Sequence, residues 1–189
     1  MRKRLLKKLR MLAKEKKIEM WSLDECHFQQ HGSRCAMWVP PEDKDPIVRH
    51  APTRKSMALF GAVNIHTGKF LHMASPIFNA VTFGEFLVKL LKRKARNKKM
   101  VVILDNARYH HAILLNPWLL KYQDKITLLF LPPYSPDLNP IERVWKLTRR
   151  LCTHNQYFPD LSGLVDKVTT RMNKWGKPNS ELHKLCCII

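Results

Sequence analysis

Three carboxylates stand where a rigid element gives way to a loop, or a loop to a helix. Asp24 ends the apolar-rich run 18–24, Asp105 ends the run 100–104, and Glu142 lies three residues past Asn139. An acid at the end of an apolar strand loses solvation and has to be held by donors, a cation or a metal. Hard divalent cations take oxygen ligands, and Mg²⁺ needs few from the protein because it keeps several waters. Each acid also has a plainer use. Asp105 can make an Asx turn or cap the next helix. Glu142 sits three residues after Asn139, in a capping-box-like arrangement, or in an ion pair with Lys146 one turn on. Asp24 is followed by Glu25, strand alternation sends the two to opposite faces, and periodicity does not decide which of them joins a shared site.

Other reactive residues form weaker patterns. His27 and His31 are four apart, but no HExxH follows and the segment is not helical in pattern. The cysteines at 26, 35, 152, 186 and 187 are odd in number and contain no CxxC pair, which excludes a zinc knuckle and a disulfide framework and predicts reduced thiols. Ser135 has no base partner for a nucleophile, and Asp137, in a proline-rich loop, reads as a turn residue. His110 and His111 follow Asp105 closely enough to orient it or to contact a ligand.

The elements that must position the acids follow from periodicity. Residues 1–17 place leucines among basic residues at helical spacing and read as a basic helical linker. A strand over 18–24 is followed by a turn at His31-Gly32-Ser33 and a short strand over 35–39, a small inserted hairpin after the first strand; 40–46 is a charged, proline-bounded loop. Strands over 56–64 and 70–74 flank His66-Thr67-Gly68, a hairpin signal. From there helix and strand alternate: helix 82–94, a strand over 100–104 buried on both faces, helix 112–122 with Pro117 inside it, a second buried strand over 126–131, a helix from Asn139-Pro140 to about residue 153, and an amphipathic helix over 161–175. The tail 176–189 carries no signal. Strands followed by alternating helix and strand predict an α/β fold with one mixed sheet covered by helices. The crossover rule puts the Asp105 strand beside the Asp24 strand, and ligands of open sheets collect at such a switch point. Trp38, Trp118 and Trp145 each lie in an apolar pattern and read as core or interface positions.

Charge then narrows the chemistry. The 189 residues carry 34 Lys+Arg against 15 Asp+Glu, a formal charge of +19. Such a charge opposes compaction and suits a polyanion, nucleic acid above an acidic membrane surface. The run 92–99 holds six basic residues in eight, at the start of the Asp105 strand and so away from its acidic end. No apolar stretch reaches the roughly 20 residues of a membrane span.

The stretch Leu104-Asp105-Asn106-Ala107-Arg108-Tyr109-His110, followed by Leu131-Pro132-Pro133-Tyr134-Ser135-Pro136-Asp137-Leu138-Asn139-Pro140-Ile141-Glu142-Arg143-Val144-Trp145, closely resembles the DDE transposases of bacterial insertion sequences, in the mariner-type superfamily. Leu23-Asp24-Glu25 resembles that family's first acidic motif, and the 36 residues between Asp105 and Glu142 fall within its range. The resemblance implies a ribonuclease H-like fold, a mixed five-stranded sheet flanked by helices, over residues 18–175. It implies Asp24, Asp105 and Glu142 as a catalytic, metal-binding triad for two Mg²⁺ ions, with Mn²⁺ as a substitute. It implies cleavage at transposon ends and strand transfer into target double-stranded DNA by a homodimer, in the bacterial cytoplasm at the nucleoid. Arg108, His110, Arg143, Lys146, Arg149 and Arg150 are the expected DNA contacts. Full-length relatives carry a helix-turn-helix region before this domain, so the chain is expected to be a catalytic half, completed by a separate N-terminal half. The alternative is a catalytically silent DNA-binding or multimerisation remnant.

Overall fold

The computed structural model describes residues 2–42, 47–133 and 135–187. Part of the 40–46 loop, Tyr134 of the proline-rich motif and the last two residues of the tail lie outside them.

Strand β1 (Ile18–Gln29) runs through the middle of the molecule. Met20, Ser22, Cys26 and Phe28 are buried on one face, Trp21 and Leu23 on the other. A strand buried on both faces needs a layer on each side. β2 (Ser56–Asn64) pairs antiparallel with β1, and β3 (Phe70–Ala74) antiparallel with β2. The turn between them is set by the Asn64 side-chain oxygen, which accepts the N–H groups of His66 and Thr67, and by Gly68 at φ 67°. The side-chain cap of Asn79 starts α2 (Ala80–Leu91), which carries the chain across the sheet. β4 (Lys99–Leu104) then lies parallel beside β1, and β5 (Ile126–Phe130) parallel beyond it. The order is β3-β2-β1-β4-β5, so an antiparallel half and a parallel half meet at β1.

Helices fill both faces. Phe83, Phe86, Leu87 and Leu90 of α2 pack with Trp21, Leu23, Phe60, Val102 and Leu104, and α3 (Asn116–Lys121) extends that layer through Trp118 and Leu119. On the other face α4 (Ile141–Cys152), α5 (Leu161–Lys174) and α6 (Ser180–Cys186) cover Phe28, Leu59, Val63 and Phe70. α1 (Arg2–Lys14) closes the rest of that face through Leu9 and Ala13, against Met20, Val101 and Ile103.

The structure corrects several expectations. β1 runs to Gln29, five residues past Asp24, because Cys26 and Phe28 keep facing the core while His27 and Gln29 face out. The strand over 35–39 does not form, so the described residues between β1 and β2 contain no inserted hairpin. Cys35 instead donates its N–H to Asn155 Oδ1 and its carbonyl accepts from Asn155 Nδ2, and Trp38 is fully exposed rather than core or interface. The helix over 112–122 is broken: a 3₁₀ turn at Ile113–Leu115 precedes a short α3, with Pro117 in its first turn. β5 is a half-exposed edge strand rather than a buried one. The tail folds into α6, which buries Leu182 and Cys186. The five cysteines are free thiols, and burial pushes those of Cys26 and Cys186 up to about 12.

Candidate active site

The last pair between β1 and β4 is Ser22 with Ile103. β4 ends at Leu104, while β1 continues against β2 with Asp24 opposite Gly61. Asp24 therefore has a strand neighbour on one side, and the other side opens into a cleft of about 370 Å³. Asp24, Asp105 and Glu142 all line it, with Asn106, Pro132 and Asn139. The cleft lies past the carboxyl end of β4, at the point where successive connections leave β1 in opposite directions. That is where open α/β sheets collect ligands.

Asp24 shares its face of β1 with Ser22, and so faces α4. The Trp145 indole N–H donates to Asp24 Oδ2 at 3.0 Å. Trp145 can lie this close because Gly61 has no side chain: a Cβ there would stand 2.2 Å from the indole edge. Burial pushes the Asp24 carboxyl up to about 7, the charges of Glu25 and Glu142 push the same way, and the indole N–H pulls against them. The crowding of carboxylates that raises this acid is what a cation would relieve.

The start of α4 is fixed by a latch that sequence reading missed. Ser22, fully buried in β1, donates its hydroxyl to Asn139 Oδ1 and accepts the Ile141 N–H at 3.0 Å. Asn139 Nδ2 donates to the Leu23 carbonyl at 3.1 Å. The expected capping box of Asn139 and Glu142 is thus replaced: the cap comes from a strand 119 residues upstream, and no side chain of its own segment caps α4. Among the described residues Glu142 forms no ion pair with Lys146, so its carboxylate is left to the cleft.

Asp105 combines its plain role with the candidate one. Oδ1 accepts the Ala107 N–H at 3.1 Å, an Asx turn, and lies 3.2 Å from His110 Nδ1. His110 is buried on Phe83 and Tyr109, and its Nε2 stands 3.1 Å from Glu25 Oε1. Burial alone would lower the His110 pKa; hydrogen bonds to Asp105 and Glu25 outweigh it and push the ring up to about 9. The protonated ring in turn holds the Asp105 carboxyl below its ordinary range. Ligand atoms of Glu25, Asp105 and His110 lie within 4.8 Å of one another, the tightest metal-like cluster among the described residues. Both ring nitrogens are engaged, Nδ1 with Asp105 and Nε2 with Glu25, and these bonds favour the protonated ring. The cluster is therefore an ion-pair bridge across the sheet edge. Glu25 supports Asp105 from the face opposite Asp24.

The expected DNA contacts divide. Arg108 is exposed beside the cleft. Arg143 and Lys146 line an adjoining hollow with Glu142 and Asp137, Arg143 also donating to the Leu185 carbonyl at 2.9 Å. Arg150 is exposed. His110 and Arg149 are turned inward, the latter onto Cys26 Sγ and the ring of Phe28. As a donor set, three carboxylates without thiolate or neutral imidazole fit a hard cation such as Mg²⁺ or Mn²⁺.

Comparison with known proteins gives this geometry a context. Residues 19–165 match the family described as DDE superfamily endonuclease. The chain is 35% identical over 116 residues to the uncharacterized protein y4pE/y4sA of Sinorhizobium fredii, covering 61% of this chain and 82% of that protein. It is 29% identical over 110 residues to the insertion element IS630 uncharacterized 39 kDa protein of Shigella sonnei, covering 58% of this chain but 32% of that one. Two solved Mos1 transposase complexes share the fold: a paired-end complex with the left transposon end (TM-score 0.67, 20% identity, 97% of this chain and 55% of that one) and one with Mg (TM-score 0.64, 20%, 97% and 56%). The chain thus spans about half the length of those transposases. Its sheet of five strands is ribonuclease H-like and open.

Proposed function

The chain belongs to the DDE superfamily endonuclease family, and from that premise we propose that residues 18–175 are the catalytic domain of a DNA transposase that cleaves phosphodiester bonds at transposon ends and joins them to target DNA. The observation that carries the reading is the meeting of Asp24, Asp105 and Glu142 in one cleft at the end of β4. These three residues would hold the metal. Two Mg²⁺ ions, if held there, would supply positive charge to the oxygens of the scissile phosphodiester and acidify a bound water. Mn²⁺ accepts the same ligands.

The chain's own residues do the rest. Trp145 fixes the Asp24 carboxyl, and the bridge through His110 keeps Asp105 ionised and oriented. The Ser22–Asn139 latch sets where Glu142 projects. Arg108, Arg143, Lys146 and Arg150 are assigned to phosphates approaching the cleft. Water and a DNA 3′-hydroxyl are alternative nucleophiles for the same in-line displacement, which joins cleavage and strand transfer in one site. The partner is double-stranded DNA, bound as a homodimer because two transposon ends need two clefts, in the cytoplasm at the nucleoid. This domain by itself binds DNA with little sequence preference, and reading of the terminal repeats falls to a helix-turn-helix region outside it. The Mos1 complexes with a transposon end and with Mg support the choice of ligands.

The test is Mg²⁺-dependent nicking of transposon-end DNA by the wild type, Asp105→Asn and Glu142→Gln. Nicking by the wild type and a loss of at least about a hundredfold in both variants are expected, the scale on which positioned catalytic groups act. Unchanged activity in both variants would remove the proposed site. An inactive wild type that still binds DNA would favour a silent remnant.

A further inference from the structure

A second cavity, of about 450 Å³, lies at the opposite end of β4 from the cleft. The six residues of β4 separate the two by about 20 Å, at a strand rise of about 3.3 Å per residue. One wall is the basic loop between α2 and β4, and this loop is braced. The Lys94 ammonium donates to the carbonyls of Ala95 and Lys98, at 2.8 and 2.7 Å. The buried carboxylate of Glu19 accepts the Ala95 N–H at 2.8 Å. Asn97 takes a left-handed φ of 62° to close the turn. A charge run that only aided solubility would gain nothing from such bracing. It holds Lys92 and Arg96 exposed at the rim.

The facing wall is aromatic. Trp118 and Tyr122 are half-buried with ring centroids 5.1 Å apart, and Lys125 Nζ stands 5.5 Å from the Tyr122 ring. The neighbouring acid, Asp124, is exposed. Trp118, read from its apolar surroundings as core or interface, shows part of its ring to a cavity with a cationic rim.

We propose that this cavity takes an unpaired nucleotide of a DNA strand, its base against Trp118 and Tyr122 and its phosphates on Lys92, Arg96 and Lys125. Phosphate contacts alone have no use for an aromatic wall, and a duplex keeps its base faces stacked inside. An unpaired nucleotide uses both features, since every base offers a π-face and every linkage a charge. The volume falls within the range of small-ligand sites. The inference rests on the preceding section only in taking DNA as the partner; the metal cleft plays no part in it.

The experiment is anisotropy with fluorescein-labelled oligothymidylate about 12 nucleotides long, and with a duplex of equal length, on the whole chain at one stated salt concentration without divalent metal. Trp118→Ala weakens oligothymidylate binding about tenfold and duplex binding less than about twofold, and Trp118→Phe recovers most of the loss. The exposed pair Lys92→Glu with Arg96→Glu weakens the single strand at least about fivefold more than the duplex. This second arm decides if Trp118→Ala fails to fold. Equal losses on both DNAs, or none, overturn the proposal. So does an equal loss of oligothymidylate binding when Arg108 and Arg143, beside the cleft, are changed to Glu, which would put the strand in the cleft and leave the reading of the cleft standing.

Discussion

At the scale of single residues, the carboxylates of the cleft are held unequally. Asp105 is kept ionised by a protonated histidine, while Asp24 is pushed up to about 7 by burial and by neighbouring acids. Trp145 is the group that moderates Asp24. Replacing it by Phe keeps most of the packing and removes the N–H. Hydrogen bonds to charged groups contribute about 1.5–3 kcal/mol, so Mg²⁺ affinity measured by calorimetry should fall roughly tenfold or more, with little change in fold by circular dichroism. An unchanged affinity would show that the indole does not hold the metal-binding form. His110→Ala should have a separate signature: Asp105 loses its cation, titrates nearer the ordinary carboxylate range in NMR, and nicking falls although the His110 side chain is buried. Neither contact was legible in the sequence. Trp145 read as core, which it also is, and its bond to Asp24 joins positions 121 apart. The blander reading of Asp105 was right as well, since the Asx turn and the place in the cleft coexist.

At the scale of elements, the cleft exists because β4 is shorter than β1 and because α4 is pinned to β1 by Ser22 and Asn139. Ser22→Ala leaves the Ile141 N–H and the Asn139 side-chain Oδ1 without their Ser22 partner. A loss of about 1–3 kcal/mol in urea unfolding is expected. Ser22→Ala combined with Asn139→Ala should lose clearly less than the sum of the single changes; strict additivity would mean that the two residues act separately. Gly61→Ala tests the same junction from β2, where the added methyl meets the Trp145 ring and overpacking costs about 1–3 kcal/mol. Long periodic segments were readable: the β2–β3 hairpin, α2, β4 and α5 declare themselves by local pattern. What stayed hidden was set by distant partners. Residues 35–39 are an apolar run that reads as a short strand, but Asn155 takes their first backbone groups. α6 has two buried positions in seven residues, too few for a period to show before its packing on α4 is known. The capping box around Glu142 was a sound local inference overridden by Ser22, a residue of another element.

At the scale of the whole molecule, charge and protonation set the working conditions. Asp24, raised from 3.8 to about 7, binds its proton more tightly in the folded state, so its contribution to stability is present at low pH and declines as pH rises from about 4 to about 7. His110, raised from 6.5 to about 9, contributes fully below about 6.5 and loses its contribution by about 9. The metal-free protein should therefore lose thermal stability between pH 6.5 and 9, and His110→Ala should flatten that limb; a wild-type Tm that is level or rises there contradicts the bridge. A bound divalent ion displaces the Asp24 proton, so Mg²⁺ should bind more tightly as pH rises toward 7, with proton release visible as a buffer-dependent heat. The net charge of +19 predicts DNA affinity that falls steeply and log-linearly with salt. The latch of Ser22 to α4 also has a consequence for the order of synthesis. Chains are made amino end first, at about 5–20 residues per second, so Asp24 and Asp105 are synthesised before Glu142 and Trp145. A nascent or prematurely terminated chain has an unfinished cleft, with β1 uncapped by its helix and the third acid missing. The cleft is complete only once α4 has been made, so translation products that stop short of it lack the third acid.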